Sequence, residues 1–253
     1  MAIPRIVHYC WFGGKEMPSL VKKCINSRKK YLQGYEFRLW NERNFDVTIN
    51  RYVEQAYKAK KYAFVADYVR LYALYHYGGI YLDTDVELLK PLDKFLSHRA
   101  FTGCESEEYC VTGVMGAEKH HPWIETLLEY YENKEFIKSD GSYDLTPNTQ
   151  IITKLTIEKY NWIPSNTYQE LKDGLVIYPT DFFCPKDFRS RKLKITENTV
   201  AIHHFAASWL TLRQKVRSRV LLTLRKFLGE RFYEKLRSYY RSISKRQKLG
   251  ENN

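Results

Sequence analysis

Hydrophobic positions along this chain switch between a helical and a strand period, and the clearest switch lies in residues 63–87. Phe64, Tyr68, Leu71, Tyr72 and Tyr75 recur at three- and four-residue spacing, as on one face of a helix. Gly78 and Gly79 close that helix, and Ile80-Tyr81-Leu82 follows as a short hydrophobic strand. Upstream, a β-rich run from Ile3 to Phe12 ends in Gly13-Gly14, residues 18–32 read as a helix, and residues 35–40 as a second strand. That β-α-β start is the opening of a nucleotide-binding half. A polar helix is expected over residues 44–61. Strands are expected over 101–104, 110–117, 176–179 and 199–204, and helices over 123–133 and from Thr146-Pro147 onward, with Thr146 as the cap. Residues 182–185 read as an aromatic loop ending in proline. The sum is an α/β fold.

Candidate chemistry sits where the central strand ends. Successive strand residues alternate faces, so Asp83 and Asp85 share one face, Thr84 faces away, and the two carboxylates converge on one hard cation. Open α/β sheets bind ligands at that end of their strands. Asp67 and Arg70, three apart on the helix, are neighbours beside an apolar run that must be buried, where a charged pair is expensive. Their bland reading is a salt bridge that fixes the helix on the sheet. Two aspartates do not fill the coordination of a six-coordinate metal, so a later element must contribute, and His203, His204 and Ser208 are the candidates. Trp11 ends the first strand and offers a flat face for a nucleobase, although core filling is the commoner use of such a residue. His120 and His121 precede a helix and read as a cap or surface feature. Asn148 and Gln150 stand at a helix start, where amides and free N–H groups suit a hydroxyl-rich ligand.

Composition changes the picture in one respect. The chain has 253 residues and a net charge of +12, but residues 211–253 hold 13 Lys/Arg against 3 Asp/Glu, leaving 28 against 26 for residues 1–210. The expected organisation is therefore one domain over 1–210 and a basic tail over 211–253. The tail places Val216, Val220, Leu224, Leu228, Phe232, Leu236 and Tyr240 at four-residue steps among basic residues. It reads either as a helical cap or as an amphipathic extension docking on an anionic membrane surface. No run has the length of a membrane span and no signal-peptide pattern opens the chain, so the expected location is cytoplasmic, peripheral at the inner face of the membrane. Five cysteines without metal-ligand spacing suit buried, reduced thiols.

Four ordered blocks resemble a known family: residues 3–14, Ala66-Asp67-Tyr68-x-Arg70, Gly78-Gly79-Ile80-Tyr81-Leu82-Asp83-Thr84-Asp85, and His203-His204 with Ser208-Trp209. The pattern is similar to the Asp-x-Asp glycosyltransferases of family 32. These include bacterial capsule and surface-polysaccharide transferases and the yeast initiating α-1,6-mannosyltransferase, and the catalytic domains of the clostridial glucosylating toxins look alike. The resemblance covers residues 2–210. It implies a single GT-A domain that moves a hexose from a nucleoside-diphosphate sugar, UDP-sugars favoured, with Mn2+ or Mg2+ and retention at the anomeric carbon. The acceptor it implies is a surface glycan such as capsule or lipopolysaccharide, or a lipid-linked saccharide. Carried over, Trp11 stacks on the base, Asp67 and Arg70 hold the donor sugar, Tyr81 and Asn148 line the donor site, and Asp83 contacts ribose and sugar hydroxyls. Asp85 binds the metal, His203 or His204 and Ser208 lie nearby, and Trp209 reaches the leaving oxygen. The chain departs from the family at Thr146-Pro147-Asn148, where many members have Gly-Pro.

Two other readings meet the same residues. A hydrophobic strand leading to Asp83-Thr84-Asp85 also fits the first motif of haloacid-dehalogenase-like phosphatases, but those need a later acidic pair, and the downstream aspartates are scattered. A nucleic-acid-binding role through the tail lacks any recognised reading motif beside a nearly neutral core, so no nucleic acid is expected as a partner.

Overall fold

The computed structural model describes residues 3–110, 113–188 and 190–206. A mixed seven-stranded sheet runs in the order β2-β1-β3-β6-β5-β8-β7. Its first half is the expected β-α-β unit: β1 (Ile6–Cys10), α1 (Ser19–Tyr31) and β2 (Glu36–Trp40), followed by α2 (Arg51–Lys58), α3 (Tyr62–Tyr77) and β3 (Gly79–Leu82). Strands β1, β2 and β3 are parallel, so Trp11, Asn41 and Asp83, the residues that follow them, lie at one end of the sheet. Strand β4 (Val86–Leu88) leaves the main sheet and pairs with the last strand. The second half comprises β5 (Ala100–Gly103), β6 (Val114–Ala117), α4 (Pro122–Glu129), α5 (Asn148–Tyr160), β7 (Gln169–Glu170), β8 (Leu175–Tyr178), α6 (Thr180–Phe183) and β9 (Ala201–His203). Strand β6 runs antiparallel between β3 and β5.

Alternation along the strands fills two cores, one on each face of the sheet. Tyr81, Met115, Leu175 and Ile177 join the core under α2 to α5, while Val7, Ile80, Leu82, Val114 and Val176 join the one that includes Phe95 and Phe183. Helix α3 is buried over most of its circumference, which explains its run of Phe64, Val65, Val69, Leu71, Ala73 and Leu74. The turn into β3 needs its two glycines. Gly78 has φ 65°, and a Cβ on Gly79 (φ 106°) would stand 2.5 Å from the Ile6 carbonyl oxygen, where β1 and β3 pair. His8 fastens the same corner: its Nε2 donates to the Gly78 carbonyl at 2.7 Å, and its Nδ1 accepts from the Trp40 indole at 3.1 Å.

Several local expectations differ from the structure. Of the polar stretch 44–61, only Arg51–Lys58 forms the expected helix. Asn44 accepts from the Asn41 N–H at 2.9 Å and Asp46 from the Thr48 N–H at 2.8 Å, so the side chains hold turns that compete with a helix. Thr146 does not cap α5: its hydroxyl donates to Asp144 at 2.6 Å, and Pro147 takes the cap position. Residues 180–183 form a short helix rather than part of an aromatic loop. His121 does cap α4, accepting from the Trp123 N–H at 3.1 Å. All five cysteines are buried and free.

Candidate functional site

Strand β3 stops at Leu82, so the two aspartates do not share a strand face. Residues 83–85 form a turn in which the Val86 N–H bonds the Asp83 carbonyl at 2.9 Å, and Asp83 N–H reaches back to Gly113 at 2.8 Å. Convergence comes instead from β9. Val86 pairs with His203, which sets the imidazole Nε2 3.4 Å from Asp85 Oδ1. Ligand atoms of Asp83, Asp85 and His203 all lie within 4.8 Å of one another. The segment after β9 completes the brace, with Ala206 N–H donating to Asp85 Oδ2 at 2.7 Å and His204 N–H to the Asp85 carbonyl at 3.1 Å.

The helix pair meets this turn. One Arg70 nitrogen donates to Asp67 Oδ1 and Asp83 Oδ1, both at 3.1 Å, and the Tyr81 hydroxyl donates to the same Asp83 oxygen at 3.1 Å. The guanidinium also stands over the Tyr81 ring, 4.6 Å from its centroid. The helix-to-sheet bridge and a convergent polar site are thus the same arrangement. Burial pushes the Asp67 carboxyl up, to about 7, with Asp83 adding to the shift and Arg70 opposing it.

Other expected residues fall in several places. Trp11 is half-buried at the end of β1, its indole donating to the Lys15 carbonyl at 2.6 Å. Asn148 is the first residue of α5 and is buried. His204, one of the two histidines offered as a ligand, pairs with Glu87 at 2.7 Å, and the three-residue cluster contains His203. Ser208 and Trp209 lie outside the described residues, as does the tail.

Three further residues shape the site. Arg28 of α1 has no exposed surface, and its guanidinium donates to the carbonyls of Leu82 (3.4 Å), Asp83 and Val86 (3.2 Å), clamping the turn from below. In Ser27-Arg28-Lys29-Lys30 it looks like one more solvated charge, and only the helical spacing from the buried Val21 and Cys24 hints otherwise. Gly113 gives His203 room, since a Cβ there would stand 3.1 Å from the imidazole Nδ1. Glu105, after β5, is a further carboxyl whose charge acts on His203 and Asp83, and burial raises its proton affinity.

The donor set fits a hard or borderline divalent cation: two carboxylates and one imidazole, with mixed O and N character. Burial alone would raise the Asp85 carboxyl, but the His203 hydrogen bond and charge, with the Ala206 N–H, outweigh it and hold Asp85 well below the usual carboxylate range. For His203, burial would lower basicity, yet its bond to Asp85 and the nearby carboxylates raise it well above its ordinary value. A proton on that imidazole offsets the carboxylates, the role that a metal ion would take over.

Residues 18–102 match the family described as "Glycosyltransferase sugar-binding region containing DXD motif", a segment that includes Asp67, Arg70, Asp83 and Asp85. Inositol phosphoceramide mannosyltransferase 3 of Schizosaccharomyces pombe is 35% identical over 134 residues, 49% of this chain and 35% of that protein. An uncharacterized glycosyltransferase of Acanthamoeba polyphaga mimivirus is 29% identical over 198 residues, 73% of this chain and 76% of that protein. A mannosyl phosphorylinositol ceramide synthase of Saccharomyces cerevisiae is 30% identical over 142 residues, 52% of this chain and 37% of that protein. The chain thus spans little more than a third of these ceramide-modifying relatives. Among solved structures, the PaToxG glycosyltransferase matches with TM-score 0.46 at 18% identity, over 62% of this chain and 69% of that one. A glycosyltransferase involved in glycosylation of the major capsid of PBCV-1 matches with TM-score 0.44 at 12% identity, over 85% of this chain and all of that one (100%).

Proposed function

We propose that this chain, whose residues 18–102 match the glycosyltransferase sugar-binding region containing a DXD motif, transfers a hexose from a nucleoside-diphosphate sugar to a glycan acceptor, with a divalent metal and retention at the anomeric carbon. The observation that supports this most is the meeting of Asp83, Asp85 and His203 beside the Asp67–Arg70 pair at the end of β3. Asp85, Asp83 and His203 would hold Mn2+ or Mg2+, which when bound stabilises the charge that develops on the departing diphosphate. Arg70 orients Asp67 and Asp83, which take the hydroxyls of the donor sugar and ribose. Trp11 offers its ring to the base, with Tyr81 and Asn148 bordering the donor. His204, paired with Glu87, supports the segment instead of ligating.

In the transfer, an acceptor hydroxyl oxygen bonds the anomeric carbon on the face from which the diphosphate leaves. The bond to the β-phosphate oxygen breaks, its electron pair leaves with the nucleoside diphosphate, and the hydroxyl proton passes to that leaving oxygen. Two of the relatives are named for mannosyl transfer to inositol phosphoceramide. A mannosyl donor therefore joins the UDP-sugars at the head of the panel, and a lipid-linked saccharide joins capsule and lipopolysaccharide as acceptor. We assign the transfer to residues 1–210 and docking on an anionic membrane to the basic residues 211–253, at the inner face of the membrane from the cytoplasm. Among the described residues no helix is long and apolar enough to cross a membrane.

The test is release of nucleoside diphosphate from UDP-glucose, other UDP-sugars and GDP-mannose, each with Mn2+ and with chelator. One donor turned over only with metal supports the reading; metal-independent turnover, or binding of none of them, overturns it.

A further inference from the structure

We propose that the hairpin formed by residues 185–196 is a second docking surface, built for an anionic lipid bilayer and attached to the segment that braces Asp85. Lys186 and Leu193 are antiparallel bridge partners, closed by the Asp187 N–H to the Lys192 carbonyl at 2.9 Å and the Lys194 N–H to the Pro185 carbonyl at 3.0 Å. The described residues of the hairpin are therefore held by backbone bonds. Three of its largest apolar side chains are nevertheless open to solvent: Phe188 is 55% exposed, Leu193 48% and Ile195 56%. In sequence the same twelve residues carry five Lys/Arg against one acid, Asp187. Leu193 and Ile195 are two apart on an extended segment and share a side, while Lys192 and Lys194 fall on the other.

That combination discriminates among partners. Exposed apolar residues grouped in one patch mark an interaction site. Nucleic acid would reward the basic residues and one aromatic ring but not two aliphatic side chains. A bilayer rewards both, because the apolar groups enter the acyl boundary while lysines reach back to anionic headgroups.

The placement gives the surface a consequence. Lys186 Nζ donates to the His204 carbonyl at 3.2 Å, the Arg191 guanidinium donates to the Phe205 carbonyl at 3.2 Å, and Phe188 meets Phe205 edge-on at 5.2 Å between centroids. The next residue, Ala206, donates to Asp85. The hairpin thus grips the two residues that follow His203, and a lipid-linked acceptor in the same surface is brought next to the DXD turn. The docking itself does not depend on the transfer reaction.

An environment-sensitive NBD fluorophore on Leu193→Cys in the full chain reports insertion locally, since the native thiols are all buried. Lys159→Cys, exposed on α5, is the control. Liposomes of phosphatidylcholine with and without phosphatidylglycerol are added, and acyl-chain-brominated lipid serves as quencher. The expected result is a blue shift and quenching at position 193 on anionic liposomes, with neither at 159. Lys192→Glu with Lys194→Glu should weaken partitioning, by about fivefold per charge removed. Overturning results are a probe at 193 that stays in water on liposome-bound protein, no liposome binding at all, or a shift that follows protein concentration without lipid, which identifies a protein partner.

Discussion

Replacing Arg28 by methionine keeps an unbranched apolar stem and removes the cation under the DXD turn. Three main-chain carbonyls, those of Leu82, Asp83 and Val86, then lose their donor in a region where Arg28 itself is wholly buried. Hydrogen bonds from a charged donor contribute about 1.5–3 kcal/mol each, but the arginine's own desolvation is relieved when it is removed, so the net loss should be about 3 kcal/mol. In a domain of this size that lowers the Tm by about 6–12 °C. Stability alone does not isolate the role, so Mn2+ affinity is measured by EPR below the unfolding range and compared with Val21→Ala, a core change on the same helix. The turn carries Asp83 and Asp85, so Arg28→Met should weaken Mn2+ at least about tenfold, Arg28→Lys should recover part of the loss, and Val21→Ala should leave affinity unchanged. Wild-type Mn2+ affinity in folded Arg28→Met would refute the reasoning.

Three further outcomes follow from named contacts. His8 is buried, and burial lowers its pKa from 6.5 to about 4, so the unfolded chain takes up a proton in that window that the folded chain refuses. Its contribution to stability is complete above 6.5 and lost as the pH falls to about 4, up to about 3 kcal/mol; urea unfolding from pH 7 downward should show a slope that His8→Gln flattens. Gly113→Ala puts a methyl 3.1 Å from His203 Nδ1, so the imidazole must move by a few tenths of an ångström. Metal affinity should drop several-fold while the Tm changes little, as titration calorimetry and thermal melts would read. Gly79→Ala meets the Ile6 carbonyl at 2.5 Å with φ 106°, and should lose most soluble protein on expression.

The sequence carried the parts of this molecule that repeat at short range. The apolar period of α3, the Gly78-Gly79 stop and the first β-α-β unit are local patterns, and Asp67 and Arg70 are neighbours by helical spacing alone. What it did not carry depends on register between distant strands or on competition for backbone bonds. Which of His203 and His204 turns toward the aspartates is decided by the Val86–His203 pairing, 117 residues apart in the chain. The aspartates converge through a turn, because the Asp83 carbonyl takes the Val86 N–H and ends β3. Arg28 was hidden because a buried cation and a solvated one look alike in a Lys/Arg run, and what separates them is three carbonyls supplied by another segment. Thr146 found Asp144 before it could cap α5, a choice between two local bonds that spacing does not rank.

The central claim is that Asp83, Asp85 and His203 form a cation site that serves a nucleoside diphosphate. It is tested most directly by titrating the full chain with Mn2+, reading free metal by EPR, with and without UDP or GDP. The account predicts one tight site that one of the two nucleotides strengthens, and that Asp85→Ala weakens at least about tenfold while the far-ultraviolet circular dichroism spectrum stays unchanged. Equal Mn2+ binding by Asp85→Ala, or indifference of the bound metal to both nucleotides, would contradict it.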